Sequence, residues 1–209
     1  MGALTATCWS DLCCPWCWLG RDRTRVLRDL GVDVTVRPYE LHPELQRTGG
    51  KAIRPGGRLD TLLRERIGTE CAELGLDFTP PTRVPATNRP LRTIEVVRAD
   101  DPEAAEALED ALYRAVWVDG LAVDDPAVLD RLVADAGAPA AQVRALVDDG
   151  AGADVLDLAR REAHEHGIAG TPAWLFTETE LVLPGVQPRE LYERVVDRLR
   201  ARADDSSSP

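Results

Sequence analysis

The pattern of apolar and polar positions divides the chain into two ends that contain strands and a helical middle. Residues 4–10 and 32–41 are short segments that predict strands, and the second is rich in β-branched side chains. The segment between them carries a helix pattern that stops at Gly31. Strand patterns return at 171–176 and 181–183, and apolar residues at helical spacing follow. The two ends therefore predict β-α-β and β-β-α units.

The middle of the chain predicts helices almost throughout. The helix patterns cover residues 59–74, 90–99, 102–118, 125–137, 139–147 and 153–166. Several begin at a proline, which the first turn of a helix tolerates because its missing N–H would be unpaired there. We therefore predict an α/β protein with a thioredoxin-like fold, in which a large all-helical insertion separates the β-α-β half from the β-β-α half.

These patterns also predict the domain organisation. A thioredoxin-like domain is expected to be formed by residues 1–42 and 161–203. Residues 43–160 form the helical insertion, which we interpret as a lid domain. The polar end of the chain, residues 204–209, is predicted to be a disordered tail.

Composition narrows the possible partners. Apolar residues make up 44% and charged residues 29% of the chain, as in soluble globular proteins. A formal net charge of −11 argues against nucleic acid and anionic membranes as partners. The first residues, "MGALTATCWSDL", have neither the basic nor the apolar region of a signal peptide, so we expect a cytoplasmic protein.

The candidate chemistry is concentrated in "CCPWCWL", where a CxxC pair lies at a predicted strand-to-helix junction. Pro15 suits the first helical position, which makes Cys14 the N-cap. The free N–H groups of the first turn and the helix dipole stabilise a thiolate there, so the pKa of Cys14 should fall below ~8.5. Cys17 follows one turn later and can attack a mixed disulfide at Cys14. This spacing predicts a dithiol couple.

Zinc is the main competing interpretation, since a CxxC pair is half of a zinc site. The other half would need two more ligands, and Cys71 and His42 are isolated. His164 and His166 are two residues apart on a predicted helix, so they point to different faces. We therefore predict no metal and no cofactor, and keep a zinc-binding or chaperone-like module as an alternative.

Four segments in order resemble the DsbA-like thioredoxin-fold oxidoreductases: "SDLCCPWCWLG", "YELHP", "GIAGTPAWLF" and "LPGVQPREL". Within that family the chain is most similar to the FrnE type, which is grouped with 2-hydroxychromene-2-carboxylate isomerases and kappa-class glutathione transferases. The resemblance covers residues 5–199. One departure is "VPATNRPLR", where the family often has an Asn-Thr or Asn-Ser pair, so no binding role is assigned to Thr87 or Asn88.

The resemblance implies a thiol–disulfide oxidoreductase in which Cys14 is the nucleophile, Cys17 resolves the mixed disulfide and Pro172 is a cis-proline. Together with Pro15, Trp16 and Thr171, which we expect to contact the substrate, these residues form the predicted site. The isomerase and transferase branches usually carry serine in place of Cys14 and activate glutathione, whereas this chain keeps both cysteines.

The expected partners are protein or small-molecule disulfides and thiols, with a low-molecular-weight thiol as a possible co-substrate. A glutathione- or mycothiol-dependent transferase or isomerase remains the alternative function. The expected oligomeric state is a monomer or a homodimer, and the role of Cys13 stays open.

The Thr171–Pro172 bond is expected to be cis, although only ~5–6% of such bonds in folded proteins are. Pro172 opens a predicted strand, where it cannot donate to a ladder, and Gly170 permits a tight turn before it.

Overall fold

The computed structural model describes residues 4–206, and side chains up to residue 202. Its elements alternate between strands and helices at both ends and are mostly helical between them. In chain order they are β1 (Thr5–Ser10), α1 (Pro15–Asp29), β2 (Asp33–Pro38), α2 (Leu45–Thr48), β3 (Lys51–Ala52), α3 (Arg58–Thr61), a π-helical segment (Leu62–Ile67), α4 (Gly68–Glu73), β4 (Arg83–Val84), α5 (Asn88–Asp100), α6 (Pro102–Trp117), α7 (Pro126–Asp135), α8 (Ala140–Asp148), α9 (Ala153–Glu165), β5 (Ala173–Phe176), β6 (Leu181–Pro184) and α10 (Arg189–Ser206).

A four-stranded mixed sheet with the order β2-β1-β5-β6 supports the thioredoxin-like half. The strand β1 lies inside the sheet, parallel to β2 and antiparallel to β5. One face is covered by α1 and α10, which pack Leu27 and Tyr192 against Trp174. The other face is covered by α9, and there the Trp9 indole donates a hydrogen bond to the Ala159 carbonyl at 2.9 Å. This layered α/β arrangement confirms the predicted fold class.

The helices between β2 and β5, which we call the helical block, share a hydrophobic core with the cysteine motif. Cys14, Cys17 and Leu19 belong to the same buried cluster as the inner faces of α5, α6 and α7. The Trp117 indole of α6 donates to the Leu12 carbonyl at 2.9 Å, just before the motif. The helical block is therefore continuous with the core beneath the motif.

The structure refines the sequence-based outline in three places. The segment assigned to the insertion also contains a two-stranded antiparallel sheet, β3–β4, which is too short to leave an alternating pattern. A boundary at residue 160 would cut through α9, which packs on β2 as part of the sheet's cover. Helix α10 continues to Ser206, so residues 204–206 of the predicted tail are helical, and 207–209 lie outside the described residues.

One buried ionic cluster joins α1 to the last helix. Asp22 and Arg23 are 4% and 7% exposed and form an ion pair. The Arg189 guanidinium of α10 binds the same Asp22 carboxylate, and Arg23 Nε donates to the Gln187 carbonyl at 2.7 Å. The helix that begins at the motif is thus held to the end of the chain by charged as well as apolar contacts.

Across residues 4–206, no helix is both long and apolar enough to cross a membrane.

Candidate dithiol active site

Cys14 occupies the N-cap of α1. Its backbone is extended (φ −88°, ψ 116°), Pro15 follows at the start of the helix, and the Cys14 carbonyl accepts a hydrogen bond from the Cys17 N–H at 3.0 Å. The first turn of α1 has no acidic side chain, so no carboxylate of the helix competes for its free N–H groups. The side chain of Cys14 is 4% exposed, which leaves its sulfur just below the surface.

The two cysteines of the pair have opposite acidities. The Cys17 thiol is the largest influence on Cys14 and, with Thr171 and the Cys17 backbone, lowers the pKa of Cys14 against the effect of burial. The pKa of Cys17 is raised well above its usual value, chiefly because the residue is buried and secondly because it donates to Cys14. The arrangement therefore favours Cys14 as the thiolate and Cys17 as the proton-bearing partner.

Replacing Cys17 tests this cause directly. Cys17→Ala removes the donor and is expected to raise the pKa of Cys14, whereas Cys17→Ser keeps a hydroxyl donor and should preserve most of the lowering. The measurement is the alkylation rate of Cys14 against pH. Equal pKa values in the two variants would show that Cys17 does not stabilise the thiolate.

The loop that carries Pro172 lies against the motif. The Thr171–Pro172 bond is cis. In the thiol form, Cys14 Sγ donates to the Thr171 carbonyl at 3.3 Å. Gly20 permits this approach, since a Cβ at that position would lie 3.0 Å from Pro172 and 3.2 Å from the Trp174 ring. The structure thus brings Cys14, Cys17, Thr171 and Pro172 together.

The two remaining residues of the predicted site lie at its surface. Pro15 and Trp16 are half-buried in the first turn of α1. The guanidinium of Arg66, on the π-helical segment, lies 4.7 Å from the centre of the Trp16 ring. Trp18, by contrast, is buried and stacks on Tyr113 with the ring centres 6.4 Å apart. Trp16 is the more exposed of these two tryptophans, and Trp18 belongs to the core.

Asp11 is a buried carboxylate beside the motif that the sequence analysis did not single out. It accepts hydrogen bonds from the Leu41 backbone at 2.7 Å and from the Cys13 thiol at 3.2 Å, and it holds the loop after β2 against the motif. Burial raises the pKa of Asp11. Burial also raises the pKa of Cys13, and the nearby Asp11 charge raises it further, which disfavours a thiolate at Cys13. Thr87, buried just before α5, lies beside the same carboxylate.

The two remaining cysteines, Cys8 and Cys71, are buried. Burial raises the pKa of Cys8 to about 12 and that of Cys71 to about 11. His42 is exposed and bonds to Glu44. Among the described residues, no group of three or more His, Cys, Asp or Glu side chains is placed to hold a metal ion.

Comparisons with known proteins agree with the fold described above. The family profile of DSBA-like thioredoxin domains matches residues 5–197. A probable DsbA oxidoreductase from Streptomyces coelicolor is similar in structure, with a TM-score of 0.82 and 26% identity over 99% of this chain and 92% of that one. No curated protein matches the chain.

Two more distant structures share the fold. A 2-hydroxychromene-2-carboxylate isomerase superposes with a TM-score of 0.73 at 19% identity, over 98% of this chain and the full length of the other. The cytosolic disulfide reductase DsbM from Pseudomonas aeruginosa, solved with GSH, has a TM-score of 0.67 and 21% identity, over 94% of this chain and 100% of that one.

Proposed function

Because the chain belongs to the family of DSBA-like thioredoxin domains, we propose that it is a thiol–disulfide oxidoreductase whose working couple is Cys14 and Cys17. Its substrates are protein or low-molecular-weight disulfides. The observation that carries the proposal is the contrast between the two thiols: Cys14 lies at a helix N-terminus with a lowered pKa, and Cys17 lies beneath it with a raised one. Only a thiolate attacks a disulfide, so the contrast orders the two steps.

The reaction consists of two exchanges. In the first, the Cys14 thiolate attacks one sulfur of the substrate disulfide, and the other sulfur leaves as a thiolate. In the second, Cys17 loses its proton and attacks Cys14 Sγ, which releases the second substrate sulfur and leaves a Cys14–Cys17 disulfide. The substrate gains two electrons and the protein loses them, and the reverse sequence oxidises a substrate dithiol.

The surroundings of Cys14 suit a substrate chain. The Thr171 carbonyl lies 3.3 Å from the sulfur, and the half-buried Trp16 ring flanks the same helix end. An extended segment could pair with the Thr171 backbone while its disulfide meets Cys14, as peptides that add to a strand do. We therefore propose that Pro15, Trp16 and Thr171 contact the substrate.

We further propose a cytosolic location and a low-molecular-weight thiol as the electron donor. DsbM, which is described as cytosolic and was solved with GSH, supports both points by analogy. The chain's net charge of −11 favours neither nucleic acid nor an anionic membrane as a partner.

Turnover of two disulfides, insulin and oxidised glutathione, tests the proposal. The wild-type protein is expected to reduce at least one of them with a thiol donor, and the Cys14→Ser/Cys17→Ser double variant to reduce neither. A matched control is Cys71→Ala, which removes a buried thiol outside the couple. Glutathione conjugation or isomerisation that persists in Cys17→Ser, without disulfide turnover, would instead assign the transferase or isomerase activity.

A redox titration of the Cys14/Cys17 couple then shows whether the protein oxidises or reduces its substrates. A potential near −120 mV identifies an oxidant and one near −270 mV a thioredoxin-like reductant.

A further inference from the structure

A cavity of about 140 Å³ lies behind the motif, between β1, α1 and α6. Cys17, Ser10 and Tyr113 form part of its wall, and Cys8 of β1 also borders it. Its charged lining consists of three arginines from α1 and three acids from α6: Arg21, Arg25, Arg28, Glu106, Glu109 and Asp110. The space is polar and large enough for several water molecules. It therefore connects the resolving cysteine to proton-accepting groups.

Cys17 requires such a connection, because it must lose a proton when it attacks the mixed disulfide. It is 1% exposed, so bulk solvent does not reach its sulfur. Asp11, the buried acid just before the motif, gives Cys17 only its backbone N–H, at 3.5 Å. The Asp11 carboxylate is engaged with the Leu41 backbone and with Cys13. The proton must take another route.

Ser10 and Tyr113 supply two hydroxyl groups in the wall of the cavity that Cys17 also borders. Their oxygens are 2.6 Å apart, a short hydrogen bond between residues of β1 and α6. Burial raises the pKa of Cys17, and the Ser10 hydroxyl offsets part of that rise. Burial and then the Cys17 charge raise the pKa of Tyr113. The Tyr113 ring is fixed by Trp18 on one side and by the Arg21 guanidinium 4.8 Å from its centre. The pair is thus held in one orientation beside the sulfur.

Glu109 is the best placed of the three acids to receive a proton. Glu106 and Asp110 are 57% and 56% exposed and pair with Arg28 and Arg21 at the mouth of the cavity. The Glu109 side chain is only 13% exposed, and its contact with Arg98 is a looser 3.3 Å. It lies four residues before Tyr113 and therefore on the same face of α6.

We propose that Ser10, Tyr113 and Glu109 form a proton relay for Cys17, reaching Glu109 through cavity water. This inference rests on the proposed oxidoreductase function. As Cys17 attacks Cys14 Sγ, its thiol proton passes to the Ser10 oxygen, Ser10 passes its own proton to Tyr113, and Tyr113 passes one to the Glu109 carboxylate. The Cys14–Cys17 bond forms, the bond from Cys14 to the substrate breaks, and the substrate sulfur leaves as a thiolate. In the oxidising direction the same groups return the proton.

The relay is tested with 5,5′-dithiobis(2-nitrobenzoate) by rapid mixing. Attack by Cys14 releases one coloured thiolate, and resolution by Cys17 releases a second in a step that does not depend on reagent concentration. Tyr113→Phe and Ser10→Ala are expected to slow the second phase by roughly 10²-fold at pH 7, the usual size of a proton-transfer contribution, and to leave the first phase unchanged. The difference in second-phase rate between each variant and the wild type should close as pH rises, since hydroxide that enters through the cavity mouth then takes the proton without the relay.

Three controls make the result specific. Cys17→Ala must lack the second phase. Tyr192→Phe removes another buried hydroxyl, which bonds to the Gly185 carbonyl, and should leave both phases unchanged. Glu109→Gln should slow the second phase.

A second phase of wild-type rate in Tyr113→Phe, or an equal slowing of both phases at every pH, would overturn the relay. A wild-type protein that releases no second thiolate would overturn the proposed function itself.

Discussion

Cys14→Ser is expected to abolish disulfide exchange, with a loss of more than about 10³-fold, the order seen when an enzyme loses its nucleophile. The reason is that Cys14 carries the lowered pKa, while burial raises that of Cys17. Cys17→Ser should have a different effect. It keeps the first attack, cannot complete the second, and therefore accumulates mixed disulfides. Mass spectrometry after incubation with oxidised glutathione measures both outcomes.

Cys13 is the thiol that could contradict this assignment, because it is adjacent to Cys14. Its thiol donates to Asp11 at 3.2 Å and its pKa is raised by burial, so Cys13→Ala is expected to retain exchange. A glutathione adduct on Cys13 in the Cys14→Ser protein, with activity preserved, would move the nucleophile to the residue before the N-cap of α1 and refute the proposed order of steps.

Asp22→Ala is expected to lower the free energy of unfolding by about 3–5 kcal/mol, because it leaves Arg23 buried without its carboxylate partner. For a chain of this length, each kcal/mol lowers the Tm by about 2–4 °C, so a fall of roughly 6–20 °C is expected by calorimetry. The control is Arg189→Ala, since Arg189 is 46% exposed and its pair is worth no more than about 1 kcal/mol.

The same carboxylate predicts a pH dependence. Burial opposes ionisation of Asp22, but the hydrogen bonds from Arg189 and Arg23 outweigh it and lower the pKa. A group with a lowered folded-state pKa contributes its full stability above the unfolded value of ~3.9 and loses it as the pH falls through the folded value. The difference in the free energy of unfolding between wild type and Asp22→Ala should therefore be constant near neutrality and shrink below about pH 4. A Tm for Asp22→Ala within ~2 °C of wild type at pH 7 would show that Arg23 finds another partner.

Much of the fold follows from local signals in the sequence. The strand patterns at both ends and the proline after Cys14 are short-range features, and the elements they predict are present at nearly the same residues. The match to the family also confirms the predicted thioredoxin-like class. The strands β3 and β4 were missed because two residues are too few for an alternation to be visible.

The candidate site divides in the same way. Cys14 and Cys17 can be recognised in the sequence, because the CxxC spacing and the position at a helix start involve residues within one helical turn. Ser10 and Tyr113 cannot, because they are 103 positions apart and meet only through the packing of α6 on the motif. Asp11 could not be recognised for the same reason. A single acid before a motif is expected to be exposed to solvent, and its burial depends on a contact with the Leu41 backbone, 30 positions later.

The position of β1 inside the sheet has a consequence for how the chain is made. Trp9 pairs with Ala173, so a ribosome adding about 5–20 residues per second needs roughly 8 to 30 seconds between these two residues. During that interval four cysteines have already been synthesised: Cys8, Cys13, Cys14 and Cys17. The strand β5, which pairs with β1 and helps to bury them, has not. Four thiols within ten residues are then open to wrong pairing with one another. Recombinant production should therefore keep the nascent chain under reducing conditions until β5 has been synthesised and docked.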